Sequence, residues 1–179
     1  MVALIAIVVG LVTGWLAGGK LRGIRNIRLR HEVSVVVVFL VQAVARGRLL
    51  GTTASTAGML IWAAVSVALA VLLLMNRQSA GALIAAVGIV LNLDVVLLNV
   101  GMPVSTTLTA GVASATAHSG GFYFVAHGGT IAPWLGDALL CGVFGQTALL
   151  SVGDVLLAIG VATLVSAAML EGARPQLGE

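Results

Sequence analysis

The sequence predicts an all-α fold, a polytopic membrane helix bundle of about five transmembrane helices in a single domain, residues 1–179. The composition and the length support this prediction. Hydrophobic residues make up 60% of the chain and charged residues only 8%, whereas soluble domains carry about 25% charged residues. Because one crossing needs roughly 20 mostly apolar residues, a chain of this length allows about four to six. We therefore expect lipid to be its main solvent.

Five apolar segments are expected to form the helices: 1–19, 33–50, 53–76, 80–100 and 151–170. The β-branched run 35–38 is predicted to be helical, since an isolated strand cannot satisfy its backbone in lipid. Pro103 lacks a backbone donor and disfavours helix before it, so the fourth helix should end there. Ser151 and Asp154 form an S-x-x-D capping pattern at the start of the fifth.

The segment 101–150 contains no Lys or Arg and is rich in small residues. We expect it to be a folded external loop or a re-entrant segment before the last helix. Its apolar stretches 106–117 and 134–144 are short and suit re-entrant or interfacial helices. Residues 136–140 resemble residues 153–157, each with an acid near the start. Since a helix N-terminus favours negative charge, this echo predicts two helix starts, at Asp137 and at Asp154.

The distribution of basic residues predicts an N-out, C-in topology in the cell's inner membrane. Five of the nine basic residues lie between Lys20 and Arg30, and the positive-inside rule places such a stretch in the cytoplasm. Binding of anionic lipid headgroups is compatible with the same stretch, and nothing in it indicates nucleic-acid binding. The other basic residues then divide into two inside (Arg77, Arg174) and two outside (Arg46, Arg48).

Four polar side chains fall within the predicted helices, where lipid makes them costly: Gln42, Asn92, Asp94 and Asn99. Asn92 and Asn99 are seven residues apart and share one helix face. One interpretation is a polar pocket near the external side, and the other is hydrogen bonding between helices. Hydrogen bonding is the simpler interpretation for Gln42 and Asn92, while both remain open for Asp94.

Small residues in the first helix form a close-packing face. Gly10 and Gly14 are a small-xxx-small pair, which lets another helix approach closely. Ordinary packing within the chain is the simpler interpretation. Cys141 is the only cysteine, so neither an intramolecular disulfide nor a cysteine-based metal site can form from one chain.

Four titratable residues are expected on the external side: His118, His127, Asp137 and Asp154. Histidine and carboxylate together can bind a divalent metal, but no spacing here matches a metal-ligand motif. We expect the histidines to satisfy backbone groups in a folded loop. The motifs of nucleophilic, zinc-dependent and nucleotide-binding enzymes are missing from the sequence. The sequence therefore predicts no catalytic residue and no metal ligand, and it identifies no cofactor.

Several elements of the chain resemble a family of small bacterial multi-pass membrane proteins of unknown function. They are the basic segment 18–29, Gln42, Asn92, Asn99, Gly101-Met102-Pro103-Val104-Ser105, Leu135-Gly136-Asp137 and the stretch 151–157 beginning Ser-Val-Gly-Asp. The resemblance implies a small helical membrane protein with an external loop between its last two helices, and no activity. The chain departs from the family pattern at Asp94, where an apolar residue is expected, and after Asp137, where proline usually follows.

These observations leave three functions open. The first is a non-enzymatic accessory subunit that binds a membrane-protein partner or a second copy of itself. The second is a binder or carrier of a small amphiphile such as a quinone, a lipid or a polyprenyl carrier. The third is a membrane enzyme acting at the external face. The candidate ligand-binding residues are Asn92, Asp94, Asn99, Met102, Pro103, Ser105, His118, His127, Asp137 and Asp154.

Overall fold

Five α-helices dominate the fold in the computed structural model, which describes residues 2–26, 29–48, 56–105, 122–143 and 146–173. A 3₁₀ helix, Leu21–Asn26, lies between the first two. The expectation of five helices is confirmed, including helix over residues 35–38. The helices are α1 (Val2–Leu16), α2 (Glu32–Arg48), α3 (Thr56–Leu74), α4 (Ala80–Asn99) and α5 (Val152–Glu171).

Three of these helices, α3, α4 and α5, are long and apolar enough to cross a membrane. The 20 residues of α4 and of α5 each extend about 30 Å at the helical rise. That length equals the usual thickness of a hydrocarbon core. The other two helices, α1 and α2, contain 15 and 17 residues.

A small mixed sheet follows α4, which corrects the all-α prediction. Its strand order is β2-β1-β3-β4, with β1 parallel to both of its neighbours and β3 antiparallel to β4. Along the paired edges of the strands, the backbone groups are satisfied within the protein. The strands are β1 (Met102–Val104), β2 (Tyr123–Val125), β3 (Asp137–Val143) and β4 (Gln146–Ser151).

The sheet overturns two expectations for the segment before α5. The interfacial helix expected over 134–144 is wrong, because Pro133–Leu135 forms a single 3₁₀ turn and β3 follows it. Asp137 begins this strand, so only Asp154 starts a helix. The second apolar stretch, 106–117, lies outside the described residues.

The helices pack as a row in the order α2, α3, α4, α5, α1. Gly10 of α1 lies against Ala162, and Gly14 lies against Ser166, so α1 and α5 run parallel. The sheet covers the end of the row where α4 finishes and α5 begins, which we call the sheet end. The opposite end, which we call the basic end, carries residues 17–26 and 29–31 and the turn between α3 and α4.

Tight packing between helices depends on glycine. A Cβ on Gly10 would lie 2.7 Å from the carbonyl oxygen of Ala162, so α1 contacts α5 through its small-residue face. The expectation of packing within the chain is confirmed. A second seam joins α4 to α5, where a Cβ on Gly160 would lie 2.6 Å from the carbonyl oxygen of Gly81. Bulkier residues at these positions would separate the helices.

Two apolar clusters fill the space between the helices, one near the sheet end and one nearer the basic end. In the cluster at the sheet end, the Trp62 and Phe122 rings meet edge to face with centroids 5.3 Å apart. The clusters therefore join α3 and α4 to the sheet at one end and to α2 at the other. The first contains Trp62, Ala63, Leu93, Val95, Val96, Met102, Phe122 and Leu135, and the second contains Val35, Leu69, Ala70, Leu73, Ala82, Ala85, Ala86 and Ile89.

Candidate functional site

Three buried polar side chains meet where α4, β4 and α5 converge. We call Asn92, Ser151 and Asp154 the polar junction. They are 6%, 0% and 3% exposed, respectively. The Ser151 hydroxyl donates to Asn92 Oδ1 at 2.7 Å, and Asn92 Nδ2 donates to Asp154 Oδ1 at 2.9 Å. The junction thus connects α4 to the start of α5.

The capping box at the start of α5 completes the junction. The Asp154 N–H donates to the Ser151 hydroxyl at 3.0 Å, and the Ser151 N–H donates to Asp154 Oδ2 at 3.4 Å. The S-x-x-D prediction is confirmed, as is the hydrogen bond between helices expected of Asn92. Both Asp154 oxygens and the Asn92 amide oxygen accept bonds within the junction, so these buried oxygens have partners inside the protein.

Asp137 is buried beside this junction. It is 2% exposed and pairs with Ser151 across the β3–β4 hairpin. Its carbonyl oxygen accepts a hydrogen bond from the Ser105 N–H at 3.1 Å. The sheet therefore brings Asp137 close to Ser151, 14 residues further along the chain, which local sequence pattern does not reveal.

Asn99 fixes the loop over the end of α4. Its Oδ1 accepts from the Ile131 N–H at 2.8 Å, and its Nδ2 donates to the Ile131 carbonyl at 2.9 Å. Asn99 and Asn92 therefore make separate contacts. Met102 and Pro103, which follow in β1, are buried.

A cavity of about 500 Å³ lies among the loops at the sheet end. Two of the predicted site residues, Ser105 and His127, line this cavity. His127 is exposed, and its Nδ1 accepts from the Gly129 N–H at 3.2 Å, as expected of a histidine that satisfies a loop backbone. His118 lies outside the described residues. The remaining lining residues are Ala126, Gly128, Pro133, Trp134 and Ala138.

Asp94 is placed differently from the other candidates. It lies on the face of α4 that contacts neither α3 nor α5, and it is exposed. In the part of the chain that the structure describes, its carboxylate has neither a hydrogen bond nor an ion pair. The other exposed residues of this face are apolar: Leu83, Val87, Val90, Leu97 and Leu98. We call these six residues the α4 stripe.

A second cavity, of about 490 Å³, lies between α1 and α5 and contains no predicted site residue. We call it the lateral groove. The Thr13 and Ser166 hydroxyls on its wall are 2.6 Å apart and hydrogen-bonded to each other. Its lining is otherwise mostly apolar and includes Cys141 and Leu150 from the hairpin. The groove forms between two helices that are distant in sequence, so the pattern within either helix alone does not predict it.

The described residues contain no cluster of three or more His, Cys, Asp or Glu side chains that could hold a metal ion. The candidate surfaces for recognition among these residues are the α4 stripe with its carboxylate and the two cavities.

A row of apolar helices with a small mixed sheet at one end defines a mostly helical protein with three helices able to cross a membrane. The chain belongs to the family of unknown function DUF5317, whose sequence profile matches residues 26–166. This range includes the polar junction, Asp94 and the whole sheet, and confirms the resemblance to a family of unknown function. No curated protein and no solved structure matches the chain.

Proposed function

We propose that this chain is an integral protein of a bacterial cytoplasmic membrane, with five crossings, N-out and C-in, and that it serves as a non-enzymatic subunit that binds a partner helix. Membrane placement is supported by the length of α3, α4 and α5. It is also supported by the large exposed hydrophobic side chains along all five helices. Contiguous apolar surface on this scale is unusual in a soluble monomer.

The charges at the two ends of the row support the orientation. Lys20, Arg22, Arg25, Arg30 and Arg77 all lie at the basic end and are exposed. Since cytoplasmic loops carry the excess of Lys and Arg, the basic end would face the cytoplasm. The sheet and its loops would then face outward.

Partner binding is supported by one observation, the exposed Asp94 carboxylate within the α4 stripe. Asp94 is five residues before the end of α4 at Asn99, which places it about 7.5 Å along the helix from that end. Ionisable side chains at membrane depth are costly and almost always pair with another group or face water. The α4 stripe leaves this carboxylate facing lipid, so a partner helix with a basic side chain or hydrogen-bond donor at the same depth would cover it.

Replacing Asp94 by leucine tests this proposal. We expect about tenfold or greater loss of a partner that copurifies at fixed stoichiometry in mild detergent, because the variant removes the polar contact and keeps the apolar face. Native mass spectrometry of protein from its own host gives the partner's mass. Since Asp94 contacts no other described residue by hydrogen bond, the variant should remain folded.

The matched control is Glu171→Gln, which removes one exposed carboxylate outside the α4 stripe. It should leave the partner bound. Equal partner retention by wild type and Asp94→Leu, or a wild-type protein that carries no partner and no second copy, would contradict the proposal. A partner mass equal to that of the chain would identify a homo-oligomer.

The lateral groove favours amphiphile binding as a second function. Its volume lies within the range of small-molecule sites, and its apolar lining suits a hydrocarbon chain. A small retained mass that persists in Asp94→Leu and is lost in Ala158→Phe, which would fill the groove, would support this function over partner binding.

A further inference from the structure

The described parts of the segment between α1 and α2, residues 17–26 and 29–31, lie across the basic end of the row. They join α1 to α2, and these two helices lie at opposite ends of the row. The connection from α1 to α2 therefore has to cross the ends of α5, α4 and α3. We call the described part of this segment, 17–26 and 29–31, the basic strap.

The first attachment of the basic strap is to the end of α5. The Lys20 N–H donates to the Met169 carbonyl at 2.9 Å, and Arg22 Nε donates to the Gly172 carbonyl at 3.1 Å. Gly23 packs so closely on Ala168 that any added Cβ would collide with its carbonyl oxygen. This part of the strap is held in place by backbone contacts.

The second attachment is to the turn between α3 and α4. The Asn76 side chain, which is 7% exposed, accepts from the Arg30 N–H at 2.6 Å and donates to the Arg30 carbonyl at 3.1 Å. It also donates to the Leu72 carbonyl at 2.7 Å. Asn76 thereby holds the Arg30 backbone beside the turn that carries Arg77.

These attachments hold basic side chains together at one end of the row. Lys20, Arg22, Arg25, Arg30 and Arg77 are all exposed, and within the described residues none of them forms an ion pair. The acidic residues adjoining this end are Glu32 and Glu171. Leu21 on the strap is 65% exposed, so apolar and basic side chains alternate along a segment at the end of the helices.

We propose that the basic strap and Arg77 bind the headgroups of anionic phospholipids. The charge is complementary, and juxtamembrane basic clusters attract anionic lipid surfaces. The exposed Leu21 suits the boundary between headgroups and acyl chains. Hydrogen bonds already attach the strap to α5 and to the α3–α4 turn, so its backbone needs little ordering to meet a headgroup. The inference rests on the membrane placement in the proposed function but is independent of the Asp94 partner.

The test compares phosphatidylglycerol with phosphatidylcholine of the same chain length, each added to the full-length protein in detergent, with bound lipid counted by native mass spectrometry. We expect wild type to prefer phosphatidylglycerol by about tenfold or more, and Arg25→Gln/Arg77→Gln to lose most of that preference. Neither side chain makes a hydrogen bond within the described residues, so both attachments stay intact.

The matched control is Arg46→Gln/Arg48→Gln, which removes the same charge near the other end of α2 and should leave the preference unchanged. Equal retention of both lipids by wild type, or equal effects of the two pairs, would overturn the proposal. Full competition by inorganic phosphate would instead identify a phosphate site. If Asp94→Leu loses the partner but the wild type shows no lipid preference, the strap proposal alone is rejected. If the chain can be extracted from membranes without detergent, membrane placement itself is rejected.

Discussion

Replacing Gly153 by alanine is expected to lower the free energy of unfolding by about 2–3 kcal/mol, the upper part of the range of about 1–3 kcal/mol for forcing atoms into a well-packed interface. Gly153 lies in the α4–α5 seam, where an added Cβ would collide with Asn92 Oδ1 and with the carbonyl oxygen of Gly88. Backbone oxygen cannot move aside as a flexible side chain can. The helices would have to separate, which would also stretch the polar junction.

The measurement is thermal unfolding in mild detergent, followed by helical circular dichroism. A loss of this size should lower the midpoint by about 4–12 °C in a chain of this length. Gly142→Ala is the control, because a Cβ there would meet no atom within 4 Å, and its midpoint should stay near that of wild type. Equal midpoints for the two alanine variants would contradict close packing of α4 on α5 at Gly153.

Replacing Asn92 by leucine is expected to cost about 3 kcal/mol. The change keeps a side chain of similar shape but removes the donor to Asp154 Oδ1 and the acceptor of the Ser151 hydroxyl. Both groups are buried, so no water replaces the lost partner, and losing a hydrogen bond to a buried carboxylate costs more than losing one between neutral groups.

The control for Asn92→Leu is Gln42→Leu, which breaks a neutral bond between helices. Gln42 Nε2 donates to the Ser66 hydroxyl at 2.9 Å in a partly buried site, so its loss should cost only about 1 kcal/mol. Asn92→Leu combined with Asp154→Ala should cost clearly less than the two changes summed, because each removes the same contact. Additive costs, or equal costs for Asn92→Leu and Gln42→Leu, would argue against the junction.

The helices could be predicted from the sequence because each depends on a local apolar run. The same holds for the cap at Ser151 and Asp154, whose spacing alone indicates a helix start. The glycine seam was missed although its signal is present, since Gly81 and Gly88 are seven residues apart, as are Gly153 and Gly160.

The sheet could not be predicted in the same way. A short apolar run such as 137–143 does not distinguish a strand from a buried helix. Its register depends on Val104, whose partner is Asp137 on β3, 33 residues later. The asparagines illustrate the same limit. Periodicity places Asn92 and Asn99 on one face, but the distant residues Asp154 and Ile131 decide that one stabilises a helix pair and the other holds a loop.

The most direct test of the account is the membrane topology, because the partner, the amphiphile and the lipid proposals all depend on it. Cys141 is the only cysteine, so a Cys141→Ala background permits single thiols at Gly128 in the sheet-end loop and at Gln78 in the α3–α4 turn, both exposed. Treating intact cells with a membrane-impermeant maleimide should label Gly128→Cys and should label Gln78→Cys only after permeabilisation. Labelling of Gln78→Cys in intact cells, with Gly128→Cys protected, would contradict the account.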